Sequence, residues 1–537
     1  MRLITEKGQI VLPVDFEFEI EEHSPVFSNK GAQSLPVNLP DQVNNIVLSH
    51  PSRPGKSAKL VRKIPAKLEA GIIHKSGQLI IDTAHSGKGI TGAIMINESD
   101  LYSQIKEMTL SEVFEKIVRT DFTTPQAWYN HIYSCMTGAS SDDFTAFPVA
   151  VDLQEVNYQM LNSPDVTSET TPWALMWSAR RTAYGSDAVN VPAGYGITPF
   201  LWLWRALELL FADFGYSVSK NPFKTDLFLQ KIVLVNNTAD SICKGELNYA
   251  DLVPSCKISE FIKFIEQKFS THLYVYPEAK IIDIIPVADV ITSTPQMDVT
   301  PFLDGSEEYI FSELQELDIT SDTSLEGASP AAETIFDLAN KYSHLSELDE
   351  HDFRNNAWRY NLVLRRATGE YYEILQKYNT TSIKKVRLGT NYFRHFTNRL
   401  PAKECNSEDM IPPMVDMNFG ISGAKERRVI CPYIGSSQHR NTSYKDQQKG
   451  GEQKIIIALF AGLSDEDSNI EAKYCLGTTQ KYSNLGNQWS AFDLTSSDIY
   501  DLFHKEWNKV LMNSGVSVEA KVDYSPENLL ALRLDRP

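Results

Sequence analysis

One stretch, residues 198–286, constrains the fold more than any other part of the chain. It begins with Thr198-Pro199, a helix cap followed by a proline suited to the first helical position. From there to Gly215, apolar residues cover most of the circumference of a helix. Glycine is the residue that most often takes the left-handed position after a helix. The pattern predicts a helix over 199–214 that is buried on several sides.

The rest of that stretch has the pattern of an α+β unit. Residues 257–269 place Phe261, Ile262, Ile265 and Phe269 on one helical stripe. Two short β-type runs follow, LYVY and KIIDII, separated by a proline-containing turn. We therefore expect a second helix that leads directly into a β-hairpin packed beside it.

Length and composition predict a protein of several domains. The chain has 537 residues, of which 42% are hydrophobic and 10% aromatic, and this is ample for packed cores. Its formal net charge of −18 argues against tight, sequence-independent binding to nucleic acid, because such binding needs a basic surface. The same charge is compatible with a surface past which nucleic acid slides without adhering.

The cysteine pattern favours free thiols in a protein made in a reducing compartment. No two cysteines form a C-x-x-C pair, and a disulfide framework or a zinc site is the less favoured alternative. The six are widely scattered: Cys135, Cys243, Cys256, Cys405, Cys431 and Cys475.

No stretch of the chain has the pattern of a targeting or membrane segment. The N-terminus lacks the apolar core of a signal peptide. The longest apolar run, 200–214, is too short to span a membrane and carries Arg205, Glu208 and Asp213. We expect a soluble protein synthesised in the cytoplasm.

Element patterns divide the chain into five segments. The first is rich in strand patterns, at 15–20, 66–73, 78–84 and 89–97. The last is again β-rich and ends in a helix. The predicted segments are 1–105, β-rich; 106–225, largely helical; 226–300, the α+β unit; 301–400, mixed, acidic and then basic; and 401–537, β-rich with a final helix.

Local signals place helix starts in the second segment. Thr109 and Glu112 form a capping box, in which the two side chains satisfy exposed backbone N–H groups reciprocally. Thr124 followed by Pro125 predicts another helix start.

Further signals place elements in the last two segments. Runs 358–365 and 371–377 predict a hairpin, 455–460 a buried strand, and 436–453 an exposed loop. A helix is predicted over 496–513, capped by Thr495 and ended by Gly515. Its apolar stripe is Ile499, Leu502, Phe503, Trp507, Val510 and Leu511, and a closing strand follows over 516–522.

Charge is unevenly distributed in the fourth segment. Residues 304–350 are acidic, with Lys341 their only lysine or arginine, whereas 354–403 is rich in arginine and lysine. Such blocks are usually solvated faces. An alternative is that like subunits meet acidic face to basic face, which fixes orientation more than affinity.

The motifs that suggest chemistry fail on their spacing. Residues 85–89 contain Gly-Lys, but Asp82 stands where a P-loop needs its first glycine, so a glycine turn is expected. Residues 420–423 miss the nucleophile-elbow spacing by one residue and predict a loop serine. His504 lacks a second histidine at ligand spacing and is expected to be a half-exposed helix residue.

A carboxylate pair of a glycosidase is the one chemical site that sequence cannot exclude, because only structure gives the separation of the two groups. Trp202, Trp204 and Trp507 fall within predicted helices, so we expect core residues and not sugar platforms. We predict no catalytic residue, no cofactor site and no metal site.

Four stretches of this chain resemble phage tail (baseplate) hub proteins, including those encoded in prophages of Bacteroidetes. They are residues 25–40, 198–218, 246–285 and 499–532, about a fifth of the chain spread from end to end. The order of the two helices and the hairpin within 198–286 resembles the middle of these hub proteins most clearly.

The resemblance implies an α+β, multidomain fold, in which β-barrel-like tube domains carry inserted helical and α+β segments. It implies a virion structural protein without enzymatic activity, a homotrimeric ring that joins the hexameric tail tube to a spike or tail-tip protein. DNA would pass through an acidic lumen without sequence-specific binding. We further hypothesise that 304–350, or the acids within 17–22, face that lumen or a subunit contact.

Two other functions remain open from sequence. One is another tail-tip or fibre-attachment protein of the virion. The other is a glycan-binding protein or glycoside hydrolase of a gut bacterium, which the missing signal-peptide pattern disfavours because glycans are met outside the cell.

Overall fold

The structure is a computed structural model of the chain, and its description covers most of the first 322 residues and separate parts of the rest. The described residues are 2–13, 33–53, 63–70, 73–85, 88–96, 101, 105, 108–152, 160–165, 175–177, 180–184, 187–276, 279–295, 298–322, 358–361, 374–377, 383–386, 393–412, 414–422, 425–436, 454–463, 475–479, 483–484, 487–488, 492, 494, 497–520 and 522.

The protein is a mixed α+β protein with several sheets, one of which curls strongly into a half-barrel. This agrees with the fold class predicted from sequence. The described residues form two large hydrophobic clusters, one within residues 3–94 and the other within residues 101–503, and a small third cluster of Tyr274, Ile285 and Val290.

The first cluster belongs to a six-stranded antiparallel sheet with the order β2-β1-β4-β5-β6-β3. Three predicted strands of this segment are confirmed, and the fourth, at 15–20, lies outside the described residues. The elements are β1 (Arg2–Thr5), β2 (Gly8–Ile10), β3 (Gln33–Leu39), α1 (Asp41–Asn44), β4 (Lys63–Ala70), β5 (Ile73–His85) and β6 (Gly89–Ile96).

The turn between β5 and β6 depends on glycine, as the sequence predicts. The Lys88 N–H donates to the His85 carbonyl at 3.1 Å, and Gly89 has a φ of +121°. A Cβ at Gly89 would also lie 2.6 Å from the Asn38 side-chain oxygen, so a larger residue is excluded by space and by backbone conformation.

The second region contains the two helix starts predicted from their caps, and both are confirmed. Thr109 and Glu112 form the complete capping box, and the Thr124 hydroxyl accepts from the Ala127 N–H. The elements are α2 (Leu110–Phe114), β7 (Val118–Arg119), α3 (Pro125–Met136), β8 (Phe144–Thr145), β9 (Val149–Asp152), β10 (Met160–Leu161), β11 (Arg180–Tyr184), β12 (Asp187–Val191) and β13 (Phe200–Trp202).

The helix predicted to begin at residue 199 begins four residues later. Phe200–Trp202 forms strand β13 between β8 and a strand at Ile232–Leu234, and the helix runs from Leu203 to Asp213. A short apolar run fits a buried strand and a buried helix equally well, and the neighbouring strands decide between them. Gly215 does take the left-handed conformation, with a φ of +77°.

The α+β unit predicted over residues 257–286 is confirmed. Helix α6 buries the whole predicted stripe and is followed by an antiparallel hairpin, to which β14 adds a parallel edge strand. The elements of this region are α4 (Leu203–Asp213), β14 (Ser217–Lys220), α5 (Pro222–Thr225), β15 (Ile232–Leu234), β16 (Leu247–Asn248), α6 (Ile258–Phe269), β17 (Thr271–Tyr276), β18 (Ile281–Pro286) and α7 (Val287–Thr292).

The last region joins the middle of the chain through an eight-stranded sheet. Its order is β24-β20-β25-β28-β15-β13-β8, with β29 also paired to β28. The elements are β19 (Glu308–Phe311), β20 (Glu316–Asp322), β21 (Trp358–Asn361), β22 (Ile374–Lys377), β23 (Ile383–Val386), β24 (Phe393–His395), β25 (Ala402–Met410), β26 (Met414–Ser422), β27 (Lys425–Ser436), β28 (Ile455–Leu463), β29 (Cys475–Thr478), β30 (Ser483–Asn484), β31 (Asn487–Gln488), α8 (Ser497–Ile499), α9 (Lys505–Asn513) and β32 (Val516–Glu519).

Predictions for the last two segments have mixed outcomes. The pairing of β21 with β22 confirms the predicted hairpin, and β28 confirms the strand at 455–460. Ser422 was expected in a loop, but it ends strand β26 and pairs with Lys425 across a hairpin, so that prediction is wrong. The loop predicted over 436–453 lies almost wholly outside the described residues.

The final helix is interrupted by a π-helical turn. Residues Tyr500–His504 form this turn between α8 and α9. Such a turn adds a residue to the helical repeat and rotates the buried stripe. Leu502, predicted to be in the stripe, is exposed, whereas His504 and Asn508 are buried.

Candidate assembly surface

A two-stranded antiparallel ribbon stands out among the described elements because its apolar side is uncovered. It consists of β19 and β32, which pair with each other and with no third described strand. We call it the apolar ribbon. Its register pairs Glu308 with Glu519, Tyr309 with Val518, Ile310 with Ser517 and Phe311 with Val516.

One face of the ribbon is entirely apolar. Side chains two residues apart on a strand, and those directly opposite on the partner strand, share a face. That rule groups Tyr309, Phe311, Val516 and Val518, whose exposed fractions are 54%, 79%, 41% and 53%. A lone exposed apolar side chain is ordinary on a protein surface, but four on one face are typical of an interaction site.

Carboxylates lie on the opposite face of the ribbon and at the ends of β19. Glu308 and Glu519 lie directly opposite each other, and like charges in that position are destabilising. Glu307 and Glu313 are exposed at the two ends of β19. Within the described part of the chain none of these four glutamates forms an ion pair. The ribbon therefore carries negative charge on the face opposite its apolar side and at both ends of β19.

The ribbon is fixed at one end to the final helix. The Ser312 N–H donates to the Gly515 carbonyl at 2.6 Å, and the Gln315 N–H donates to the Leu511 carbonyl at 3.2 Å. Gly515 does not have the positive φ expected of a helix-ending glycine; instead, a Cβ there would lie 2.4 Å from the Ser312 carbonyl oxygen. Glycine is needed at 515 because the backbone of residue 312 approaches so closely.

A buried ionic cluster lies where helix α6 meets the eight-stranded sheet. The Lys268 ammonium on α6 lies 3.2 Å from the Asp409 carboxylate on β25, and both side chains are fully buried. Lys268 also donates to the Ser321 hydroxyl on β20 at 2.7 Å. The cluster thus ties a helix of the α+β unit to two strands of the eight-stranded sheet.

His504 joins the final helix to this cluster and is fully buried, so the predicted half-exposed position is wrong. Its Nε2 lies 3.1 Å from the Lys268 carbonyl, a contact suited to a neutral ring that donates from this nitrogen. Burial lowers the pKa of His504 to about 4. The π-helical turn explains the error, since it rotates His504 to the buried side.

The densest polar network elsewhere in the described residues surrounds Arg119. Its guanidinium donates to Asp142 at 2.6 Å and to the Tyr249 hydroxyl at 3.1 Å, and it also pairs with Asp121. The hydroxyl of Tyr249 in turn donates to Asp143 at 3.0 Å. Burial opposes ionisation of Asp142, but hydrogen bonds from Arg119 and His131 outweigh it and lower the pKa of that carboxyl.

Cys135 and His131 lie in the same network but do not form a nucleophile–base pair. Both the Cys135 sulfur, at 3.8 Å, and the Asp142 carboxylate, at 2.6 Å, approach the same ring nitrogen, Nε2 of His131. A catalytic arrangement needs them on opposite nitrogens. Burial also raises the pKa of the Cys135 thiol, which disfavours the reactive thiolate. This network joins β7 and α3 to the residues just before β8 and just after β16, and its contacts are structural.

A cavity of about 310 Å³ lies between α2 and the 240–251 region. Acidic side chains dominate its lining, with Lys244 as the basic member: Glu112, Glu115, Asp240, Glu246 and Asp251 are the acids. Among the described residues no group of three or more histidines, cysteines or acids has the geometry to hold a metal ion.

The remaining sequence candidates are distributed over unrelated places. Among the described residues five cysteines form no disulfide bond, as the scattered pattern predicts: Cys135, Cys243, Cys256, Cys405 and Cys431. Trp202, Trp204 and Trp507 are partly buried against the larger hydrophobic cluster, not fully inside it. In the described part of the chain, no helix is long and apolar enough to cross a membrane.

Comparisons of the chain with protein-family models, curated proteins and solved structures found no match. Its own geometry and the stretches named above are therefore what bear on its function.

Proposed function

We propose that this protein is a structural subunit of a phage or prophage tail, the baseplate hub. In this role three copies form a ring that joins the tail tube on one side to the central spike or tip on the other. The proposal is supported by the four hub-like stretches and by a mixed α+β fold that includes a strongly curled half-barrel sheet.

The observation that carries the proposal is the apolar ribbon. An isolated two-stranded ribbon is only marginally stable in water, and here its whole apolar face is exposed. Such a face is disfavoured in a protein that works alone and is expected in one that is buried by its neighbours in an assembly. The polar network around Arg119, by comparison, satisfies its own charges and presents no reactive pair.

The acidic composition fits the same role. With a formal net charge of −18, the surface repels the phosphates of DNA on average. A ring through which the genome passes benefits from that repulsion, because strong binding would arrest the DNA.

Labelling of tail particles tests the proposal. A tagged chain is introduced into the phage or prophage genome that encodes it, particles are purified, and gold-labelled antibody locates the tag by electron microscopy. Label at the junction of tube and tip is the expected result. Label on fibres would favour the other virion role, and particles that lack the chain would overturn the proposal.

A further inference from the structure

We propose that the apolar ribbon is one third of a six-stranded barrel, which three copies of this chain complete by bringing their ribbons together on a threefold axis. This rests on the proposed hub function and names the occupant of the exposed face, which is the same ribbon of two further copies. Three features of the ribbon carry it: its two open edges, the position of its acids and the area of its apolar face.

Both edges of the ribbon lack a third strand among the described residues. The Ser312 N–H donates to the Gly515 carbonyl, so these opposed residues form a hydrogen-bonded pair. Hydrogen-bonded and non-hydrogen-bonded pairs alternate along an antiparallel ladder, and the register of β19 with β32 runs without a shift. The backbone N–H groups that point away from the ribbon are therefore those of Tyr309, Phe311, Val516 and Val518. We call them the outward amides.

The charges of the ribbon strands favour contact between copies through the apolar face. Copies with a formal net charge of −18 repel one another, so they meet most readily where acids are absent. Glu308 and Glu519, the acids of the two strands, lie on the reverse face. Glu307, just beyond the end of β19, accepts a hydrogen bond from the Tyr309 hydroxyl, which places this carboxylate at the mouth of the barrel. The apolar faces meet inside, and the acids stay in water.

A threefold axis closes the ladder of strands. Around the axis β19 and β32 alternate, so each edge of one ribbon lies beside the opposite edge of the next, and every neighbouring pair is antiparallel. Closure pairs the outward amides and leaves no open edge. Two ribbons cannot achieve this, because barrel diameter falls with strand number and four strands leave no room for side chains.

The area of the apolar face also favours three copies over two. From the exposed fractions of its four side chains, the face presents on the order of 400 Å². Two copies face to face bury about 800 Å², the size of a crystal-packing contact, whereas three bury about 1,200 Å², which reaches the range of stable interfaces. Pairing of the strand edges adds backbone hydrogen bonds to this contact.

A barrel filled with side chains closes the axis of the ring at this level. Each ribbon is fixed to its own chain at one end, through the bonds from Ser312 to Gly515 and from Gln315 to Leu511. The ribbons must therefore separate before DNA passes, which makes the barrel a closure between the lumen and the tip.

Sedimentation velocity of the full chain over a range of concentrations tests the face. Phe311→Glu puts a charge on the apolar face. Its matched control, Ile310→Glu, puts the same charge one residue away on the reverse face, where the side chain is 41% exposed. We expect the unaltered chain to form trimers, Phe311→Glu to weaken them about tenfold or more, and Ile310→Glu to stay within about threefold. Circular dichroism and the thermal midpoint establish that each variant is folded.

Hydrogen exchange tests the edges. The outward amides are expected to exchange more slowly in the trimer than in the dilute monomer, because they become bonded to the next ribbon. Val518→Pro removes one outward N–H and leaves the hydrogen bonds within the ribbon in place, since proline is tolerated at a strand edge. It is expected to weaken the trimer with the circular dichroism unchanged.

Any of five results overturns the proposal. They are an equal loss in Phe311→Glu and Ile310→Glu, dimers in place of trimers, a folded chain that stays monomeric at every concentration, outward amides that exchange equally fast in trimer and monomer, and an undiminished trimer in Val518→Pro. Label at the tube–tip junction of tail particles leaves the proposed function standing in each of these cases. Particles that lack the chain overturn the proposed function even where trimers form.

Discussion

At the scale of single residues, two adjacent acids on β25 illustrate how burial changes the value of an ion pair. Glu408 pairs with Lys263 at 2.7 Å, and both side chains are about half exposed. Asp409 pairs with Lys268 at 3.2 Å, and both are fully buried. An exposed pair contributes little, whereas removal of one partner of a buried pair leaves a charge without compensation.

We expect Asp409→Asn to lower the free energy of unfolding by about 3–5 kcal/mol, because the Lys268 ammonium would remain buried without its counter-ion. Glu408→Gln, one residue away on the same strand, is the matched control and is expected to cost less than about 1 kcal/mol. Urea unfolding followed by circular dichroism measures both. Equal effects of the two substitutions would contradict the assigned burial.

The buried His504 gives a prediction about pH. Its pKa falls from 6.5 to about 4 in the folded protein, so the unfolded chain binds a proton at this ring more readily. Stability from His504 is therefore complete above pH 6.5 and is lost as pH falls towards 4. Thermal midpoints of the unaltered chain and of His504→Gln should converge as pH falls through this window, since the glutamine variant does not titrate there. Parallel pH profiles would show that His504 is not buried as a neutral ring.

At the scale of elements, sequence patterns predicted the helix caps, helices and hairpins that depend on residues close together in the chain. The capping box at Thr109, the helix over 258–269 and the following hairpin are all present, because periodicity and caps act within a few residues. Residues 200–202 form a strand instead of a helix, because pairing with β8 and β15 is a long-range contact that periodicity does not record.

The ribbon was only half predictable. The apolar alternation after Gly515 predicted the closing strand, of which Val516–Glu519 forms β32. Its partner strand, β19, lies within the acidic stretch 304–350, for which charge predicted a solvated face and no strand was predicted. Exposure of their shared face could not be predicted at all, since alternation indicates an apolar face and not whether another element covers it.

Gly515→Ala should release the ribbon from the final helix. The added Cβ would lie 2.4 Å from the Ser312 carbonyl oxygen, a backbone atom that cannot move aside cheaply. Hydrogen exchange at the Ser312 amide is expected to become faster, because its bond to the Gly515 carbonyl is lost. Gly138→Ala is the control for strain from replacing a glycine, since its φ of +74° disfavours alanine although a Cβ there meets nothing within 4 Å, and it should leave exchange at Ser312 unchanged. Unchanged exchange at Ser312 would contradict the close approach.

At the scale of the whole molecule, two separate hydrophobic clusters predict separable responses to core substitutions. Ile94 is buried in the cluster of the six-stranded sheet, and Ile457 in the larger one. Each substitution to alanine is expected to cost about 2–5 kcal/mol within its own cluster. In calorimetry, Ile94→Ala and Ile457→Ala should each shift a different unfolding transition. A single transition that shifts equally in both variants would show that the two clusters unfold as one unit.

The central claim is that this chain is an assembly subunit whose apolar ribbon is buried between copies. Electron cryo-microscopy of the purified chain, alone and with its tail-tube partner, tests it most directly. We expect a threefold ring in which Phe311 of every copy is covered by a neighbouring subunit. Monomers under all conditions, or a ring whose ribbons still face solvent, would contradict it.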